Sequence, residues 1–262
     1  MQLEIITQQP ENKSHPTPIL FVHGAWHAAW CWENFLPYFA RRGYVSHAVS
    51  LRGHGNSDGR EKIRWHSASR GYVDDIAQVA KTLPSPPVIV GHSMGGYVVQ
   101  KYLETHSAAA GVLLASIPVS GISGFGRRYF LEHPWQFIKA HLLLNPWNLV
   151  ETPDLMKDAF FSSNVPPEEI ERHFARLQPE SFRMELEALF LELPRPGKVN
   201  TPLLVLAAEN DRVFSVAEQC ATASCYRTEA EIFPHMAHDM MLERNWQKVA
   251  DRILDWLQVL GL

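Results

Sequence analysis

The pentapeptide Gly91-His92-Ser93-Met94-Gly95 is the part of the sequence whose residue types and spacing most directly suggest chemistry. It has the pattern G-x-S-x-G, it follows a short β-branched run at 87–90, and it precedes apolar positions at helical spacing. We therefore predict a strand, a tight turn and a helix, with Ser93 on the turn and its hydroxyl projecting into a site. A glycine-rich turn with an incidental serine is the alternative, because short motifs also arise by chance.

A serine hydroxyl needs a neighbouring base to become a nucleophile, and that base needs an acidic partner. In proteins with this motif the expected chain order is serine, then aspartate or glutamate, then histidine. Asp211 follows a predicted strand at 203–207, and His238 follows a predicted strand at 229–233. Both lie on loops beyond strand carboxyl ends, as Ser93 does. We predict Ser93 as the nucleophile, His238 as the base and Asp211 as the acid.

Other titratable residues near these positions are weaker candidates. His235 could act as the base, but it follows its strand too closely to reach the serine freely. Glu209 could act as the orienting acid. We expect Asp74, Asp75 and Asp239 at solvated helix starts, where a negative charge is favourable.

Acyl transfer also needs hydrogen-bond donors for the developing oxyanion. One is the backbone N–H of the residue after the nucleophile, Met94. The second should come from the loop after the first inner strand, where Ala25 is the best candidate and Trp26 the alternative. Aromatic and imidazole side chains that could contact a substrate are Trp26, His27, Trp135 and Phe137.

Apolar β-type runs alternate with helical patterns along most of the chain, which is typical of an α/β protein with a mainly parallel sheet flanked by helices. Further strands are predicted at 19–22, 45–49 and 111–115, and further helices near 28–41, near 71–83 and at the end of the chain. The stretch 117–196 contains helical patterns but no clear strand. We predict a core formed by 1–116 and 197–262, with 117–196 inserted as a helical cap, or lid.

The composition limits the possible partners. The chain has 262 residues, 46% hydrophobic residues and a net charge of −4, so it offers no basic field for nucleic acid. No apolar run is long enough for a membrane span, and the amino-terminal residues do not resemble a signal peptide. Three cysteines without zinc spacing and no phosphate-binding glycine motif predict no metal and no cofactor. We expect a cytoplasmic monomer or homodimer acting on a small molecule.

Four segments together resemble the α/β-hydrolase superfamily over nearly the whole chain: His23-Gly24, 51–59, 91–96 and 234–243. The stretch 23–32 is similar to the opening loop of small esterases related to plant methylesterases and hydroxynitrile lyases. The glycine-rich loop 52–59 looks more like that of cofactor-free haloperoxidases and C–C hydrolases.

The resemblance implies a mostly parallel sheet with a helical cap inserted after the strand 111–115. It also implies the same triad of Ser93, Asp211 and His238, with Ala25 and Met94 as oxyanion donors. Dehalogenases and epoxide hydrolases of this fold carry an aspartate at the position of Ser93, so the serine argues against both.

These observations predict a serine hydrolase, most simply a carboxylesterase, that cleaves an ester or thioester of a small to medium apolar substrate through an acyl-enzyme. Two other activities can use the same triad, namely C–C bond hydrolysis of diketones and a hydroxynitrile-type lyase reaction. Ala25 does not supply the threonine that lyases of this family usually carry beside the oxyanion loop. A function of another class is a ligand-binding receptor that retains the triad, and steady-state turnover distinguishes it from an enzyme.

Overall fold

One seven-stranded sheet forms the centre of the molecule in the computed structural model, which describes residues 1–12 and 14–262. The strands are β1 (Ile5–Gln8), β2 (Ile19–Val22), β3 (Ser46–Val49), β4 (Val88–His92), β5 (Ala110–Leu114), β6 (Leu203–Ala208) and β7 (Ala230–Phe233). Their order across the sheet is β1-β3-β2-β4-β5-β6-β7. Only β1 is antiparallel to its neighbour among these pairings. The α/β fold with a mainly parallel sheet is therefore confirmed.

Helices cover both faces of this sheet, which explains why β2, β4, β5 and β6 are buried along their whole length. The α-helices are α1 (Phe35–Arg41), α2 (Val73–Ala80), α3 (Met94–Leu103), α4 (Ser123–Glu132), α5 (Pro134–Leu142), α6 (Pro153–Phe160), α7 (Pro167–Phe174), α8 (Phe182–Leu186), α9 (Val216–Cys225) and α10 (Trp246–Leu260). No helix among the described residues is both long enough and apolar enough to span a bilayer.

Two predicted helices are shorter in the structure than in the sequence pattern. The region 28–41 contains a 3₁₀ turn, Ala29–Trp32, before α1 begins at Phe35. The region 71–83 begins earlier with a π-helical turn, Ala68–Tyr72, and α2 ends at Ala80. Strand β1 has no counterpart in the sequence prediction, because all four of its residues are exposed and they show no buried periodicity.

The chain between β5 and β6 forms helices α4 to α8 and short helical turns, and no strand is present among these described residues. We call residues 117–196 the helical insertion. It leaves the sheet after Leu114 and returns at Leu203, and these two residues belong to adjacent parallel strands. A long insertion is tolerated here because it emerges from the carboxyl end of a strand, outside the sheet's hydrogen-bonded core.

Candidate active site

Ser93 lies on a sharp turn between β4 and α3 with φ 51° and ψ −115°, a backbone conformation that is costly for a residue with a side chain. The turn requires very close backbone approaches on both sides. A Cβ on Gly91 would lie 2.5 Å from the Gly95 carbonyl oxygen, and a Cβ on Gly95 would lie 2.3 Å from that of Val22. The glycines of the motif are therefore needed for the strand and helix to meet at this angle.

Asp211 and His238 are brought together by the loops after β6 and β7. Oδ2 of Asp211 accepts a hydrogen bond of 2.8 Å from Nδ1 of His238, and both side chains are buried. Oδ1 of Asp211 accepts from the backbone N–H groups of Val213 and Phe214. Since a carboxylate only accepts, the proton lies on Nδ1 of His238, which leaves Nε2 free to act as a base.

The competing residues from the sequence lie elsewhere. His235 is 81% exposed and Glu209 is 49% exposed. The His235 backbone N–H donates to the Glu209 carboxylate at 2.9 Å, so the two form a surface pair. Neither residue lines the cavity that contains Ser93 and His238.

Two backbone N–H groups beside Ser93 have no acceptor in the described part of the chain. Met94 is the first residue of α3, so its N–H has no partner within the helix. The Ala25 N–H likewise donates to no protein atom among residues 1–12 and 14–262. Both residues line the same cavity as Ser93.

The cavity at Ser93 has a volume of about 600 Å³, counting its open mouth, and its wall is largely apolar. Eleven of its 18 lining residues belong to the helical insertion, so the insertion determines most of its shape. Those residues are Ile117, Ile122, Phe125, Tyr129, Pro146, Leu149, Val150, Ala159, Phe160, Met184 and Glu185. The core contributes Ala25, Trp26, Ser93, Met94, Val213, Phe214 and His238.

Of the four rings expected near a substrate, the structure places only Trp26 in this wall. His27 is buried behind the site and binds Asp239. Trp135 is 68% exposed on α5, and Phe137 packs against Phe130 and His141 instead. Trp135 lies on the outer face of their helix, and Phe137 is partly buried against the core but outside this wall, which the sequence pattern of the insertion did not reveal.

Asp239 and Asp75 are fully buried, so the expectation that they are solvated is wrong, although Asp75 does lie in the first turn of α2. Asp74 lies in the same turn and is exposed, as expected. Asp75 binds the Arg52 guanidinium, and Asp239 accepts from Nε2 of His27 at 3.1 Å. Burial by itself raises the pKa of Asp239. The positive charge of His27 and its hydrogen bond outweigh this effect, so the pKa is lowered overall. A carboxylate in such a position is retained only when it is paired.

His92 contacts His238 through both its ring and its Nε2 atom. Its Nε2 lies 3.0 Å from the carbonyl oxygen of His238, to which it donates, and the two rings are 4.8 Å apart. Burial lowers the pKa of His92 to about 3, and the neighbouring His238 adds to this effect. His92 is therefore neutral at physiological pH and holds the backbone of His238.

His92, His238 and Asp239 offer nitrogen and oxygen atoms within 4.8 Å of one another, which is close enough to hold a metal ion. However, Nδ1 of His238 is already bonded to Asp211, and Oδ2 of Asp239 is bonded to His27. Nε2 of His92 is also engaged, with the His238 carbonyl oxygen, whereas Oδ1 of Asp239 has no hydrogen-bond partner among the described residues. The arrangement fits a supporting hydrogen-bond network better than a metal centre.

Comparison with known proteins bears on the family and the fold of the chain. Residues 19–252 match the model of a family described as "Alpha/beta hydrolase family". Methylesterase 3 of Arabidopsis thaliana is 36% identical over 90 residues, which cover 34% of this chain and 33% of the relative. The chain thus aligns with only about a third of that relative's length.

Longer alignments exist at lower identity. A non-heme haloperoxidase of Rhodococcus erythropolis is 25% identical over 254 residues, covering 85% of this chain and 86% of the relative. Among solved structures, a thermophilic esterase from Thermogutta terrifontis has a TM-score of 0.76 and 18% identity. That alignment covers 99% of this chain and 94% of the esterase, and at such identity it supports the fold alone.

Proposed function

Because this chain belongs to the alpha/beta hydrolase family, we propose that it is a serine hydrolase that cleaves a carboxylic ester through an acyl-enzyme. The 2.8 Å hydrogen bond between Asp211 and His238 carries this proposal, since it fixes the tautomer of a histidine that shares a cavity with Ser93. Esterase names among the relatives and neighbours support a hydrolase in general terms.

In the acylation step, Nε2 of His238 takes the proton of the Ser93 hydroxyl as Oγ attacks the ester carbonyl. The carbonyl oxygen becomes an oxyanion, which the N–H groups of Ala25 and Met94 stabilise. Asp211 stabilises the positive charge that develops on His238. The protonated His238 then donates its proton to the leaving alcohol, and the acyl group stays on Ser93.

In the deacylation step, His238 removes a proton from a water molecule that attacks the acyl-enzyme. The same two N–H groups stabilise the second oxyanion, and the proton returns to Ser93 as the carboxylic acid leaves. The residues named supply every proton transfer, so the reaction as written needs no cofactor.

The substrate is proposed to be small to medium-sized and largely apolar, in keeping with the apolar wall of the cavity. We further propose that the helical insertion, 117–196, acts as a cap, because most of the cavity wall comes from it. Ester and thioester substrates place the same carbonyl before Ser93, so both belong to the proposed substrate class.

The test combines turnover with active-site labelling. We expect steady-state hydrolysis of p-nitrophenyl esters of graded acyl length and covalent labelling of Ser93 by a fluorophosphonate. The Ser93→Ala variant should lose both while unfolding at a similar temperature. Labelling that persists in Ser93→Ala would contradict the assignment of the nucleophile.

The same assay separates the alternatives. Faster turnover of a vinylogous diketone than of any ester would favour C–C bond hydrolysis, and cleavage of a cyanohydrin would favour a lyase. A single slow turnover with retained ligand would favour a receptor that keeps the triad.

A further inference from the structure

The buried carboxylate of Glu180, in the helical insertion, forms a hydrogen bond with the loop that contains Ala25. Glu180, which precedes α8, is 2% exposed. Its Oε2 accepts from the Trp26 backbone N–H at 3.3 Å and from Nε2 of His54 at 3.1 Å. Its Oε1 accepts from the Tyr72 hydroxyl at 2.9 Å and from the backbone N–H of Ser181 at 2.6 Å.

The insertion also binds the other polar group of the Trp26 backbone. The Gln178 N–H donates to the Trp26 carbonyl oxygen at 2.9 Å. Trp26 has φ +63°, a left-handed conformation that is unfavourable for a tryptophan. The hydrogen bonds from residues 178 and 180 therefore hold a conformation that this loop would not keep unaided.

The remaining polar groups of the loop are occupied as well. The carbonyl oxygen of Ala25 lies 2.8 Å from Nδ1 of His27, and that of Gly24 accepts from the His27 N–H and lies 2.8 Å from Nδ1 of His23. The Ala25 N–H, by contrast, has no acceptor in the described part of the chain. The Ala25 N–H belongs to the Gly24–Ala25 peptide, and the contacts of the Gly24 carbonyl oxygen therefore set its direction.

We propose that Glu180 is a positioning residue for the oxyanion site, and that the insertion therefore supports the chemical step as well as the shape of the cavity. The proposal rests on the proposed function, in which Ala25 is an oxyanion donor. Glu180 acts through the Ala25–Trp26 peptide, whose oxygen His27 holds and whose nitrogen Glu180 holds. Loss of the carboxylate removes the bond on the nitrogen of this peptide, so Ala25 shifts and its N–H, which belongs to the adjoining Gly24–Ala25 peptide, loses its direction.

The charge state of Glu180 agrees with this role. Burial raises its pKa, but His54, the Ser181 N–H and the Tyr72 hydroxyl outweigh it, so the pKa is lowered and the group is a carboxylate at neutral pH. A carboxylate can accept all four hydrogen bonds, whereas an amide of the same size can accept on one atom only. Glu180→Gln thus changes the hydrogen bonding with little change in volume.

The test compares Glu180→Gln with Glu187→Gln. Glu187 is an equally buried carboxylate of the insertion that accepts from the core N–H groups of Ala68 and Ser69, both at 2.9 Å, but does not contact the oxyanion loop. It therefore controls for the loss of a buried bond between insertion and core. Tm, kcat and KM on the best p-nitrophenyl ester are measured for both variants below their unfolding temperatures.

We expect both variants to lose stability, but only Glu180→Gln to lower kcat, by about 10- to 100-fold, with KM changed less than about threefold. The loss should stay below the ~10²–10³-fold cost of deleting an oxyanion donor outright. The affinity for a boronic acid, which mimics the tetrahedral state, should fall by the same factor as kcat. Tyr72→Phe, which removes one donor to Glu180, should show a smaller loss in the same direction.

Equal kcat losses in the two variants, or a folded Glu180→Gln with kcat within twofold of the parent, would overturn the proposal. If Glu180→Gln does not fold, the Tyr72→Phe variant is used instead. A lower kcat with little change in KM would support the proposal, and an unchanged kcat would overturn it. Absence of Ser93-dependent hydrolysis in the parent protein would instead refute the proposed function, so the two failures are distinguishable.

Discussion

The two halves of the cavity wall are constructed differently. On the core side, Asp211, His238 and the Ala25 loop follow sheet strands and are held by hydrogen bonds between 2.8 and 3.3 Å. On the insertion side, the wall is formed mainly by apolar side chains, although the Tyr129 hydroxyl donates a hydrogen bond of 2.6 Å to the Leu149 carbonyl oxygen. The outer face of α5 even exposes Trp135 and Leu142 to solvent.

This difference suggests a division of labour. Hydrogen bonds fix direction, which proton transfer and oxyanion stabilisation require, whereas apolar packing fixes shape, which selects a substrate. Changes on the core side should therefore act on kcat, and changes on the insertion side should act on KM and substrate preference. Glu180 is the exception, because it belongs to the insertion and serves the core side.

Asp211→Asn tests the core side most severely. The amide cannot stabilise the charged His238 and favours the wrong tautomer, so we expect kcat to fall by ~10⁴-fold with little change in KM. Turnover of p-nitrophenyl esters measures the effect. Glu209→Gln is the matched control, since Glu209 lies on the same loop but outside the cavity. A greater loss in the control than in Asp211→Asn would reassign the acid.

Gly24→Ala tests how closely the core side is packed. The added Cβ would lie 2.6 Å from Nδ1 of His92 and 3.1 Å from Cβ of Ser93, so the loop or the elbow must shift. We expect kcat to fall by ~10²-fold, because small displacements at a reacting centre have large effects. Gly126→Ala, where the nearest atom is 3.7 Å away, should leave kcat unchanged. Parent-like kcat in Gly24→Ala would show that the loop can adapt.

Acid should weaken the core side through His92. Because its folded pKa is about 3 and its unfolded value is 6.5, the unfolded chain binds the extra proton, and stability falls as the pH drops below 6.5. Between pH 7 and pH 4 this loss is on the order of 3 kcal/mol in unfolding free energy. Chemical denaturation at each pH measures it. The slope should be flatter in His92→Asn, and an identical slope would assign the acid sensitivity to other groups.

The insertion side is expected to respond most weakly. Phe125→Ala enlarges the cavity, so kcat/KM for longer acyl chains should rise relative to short ones by up to about tenfold, with kcat changed less than about threefold. Assays across the graded p-nitrophenyl esters measure the shift. Phe130→Ala, a neighbouring substitution on α4 outside the wall, should leave the preference unchanged. A large loss of kcat in Phe125→Ala would break the division between the two halves.

The sequence predicted the part of the molecule that depends on local pattern. The β-branched runs around Ser93, the order of Asp211 and His238 and the strand ends that precede them were sufficient to predict the sheet and to nominate the residues that share the site. Strand β1 was not predicted, because all of its residues are exposed and its sequence therefore shows no alternation of buried and exposed positions.

Contacts between distant segments could not be predicted in the same way. Glu180 looks like an ordinary surface glutamate in the sequence, and only the folded chain brings it to Trp26, 154 positions away. Asp239 likewise has the polarity of a solvated residue, yet it is buried and forms a hydrogen bond with His27, a residue distant in the sequence.

The insertion departs from and rejoins the sheet on neighbouring strands, β5 and β6. Segments with such closely spaced ends can be exchanged between scaffolds without altering the order or register of the strands, as in a recombination experiment between two homologues. The contact of Glu180 with Trp26 sets the condition for a productive chimera. A chimera whose transplanted segment lacks an equivalent carboxylate would have the substrate preference of the donor protein but a low turnover rate. One exchange would thus transfer selectivity, and a second change would be needed to restore the rate.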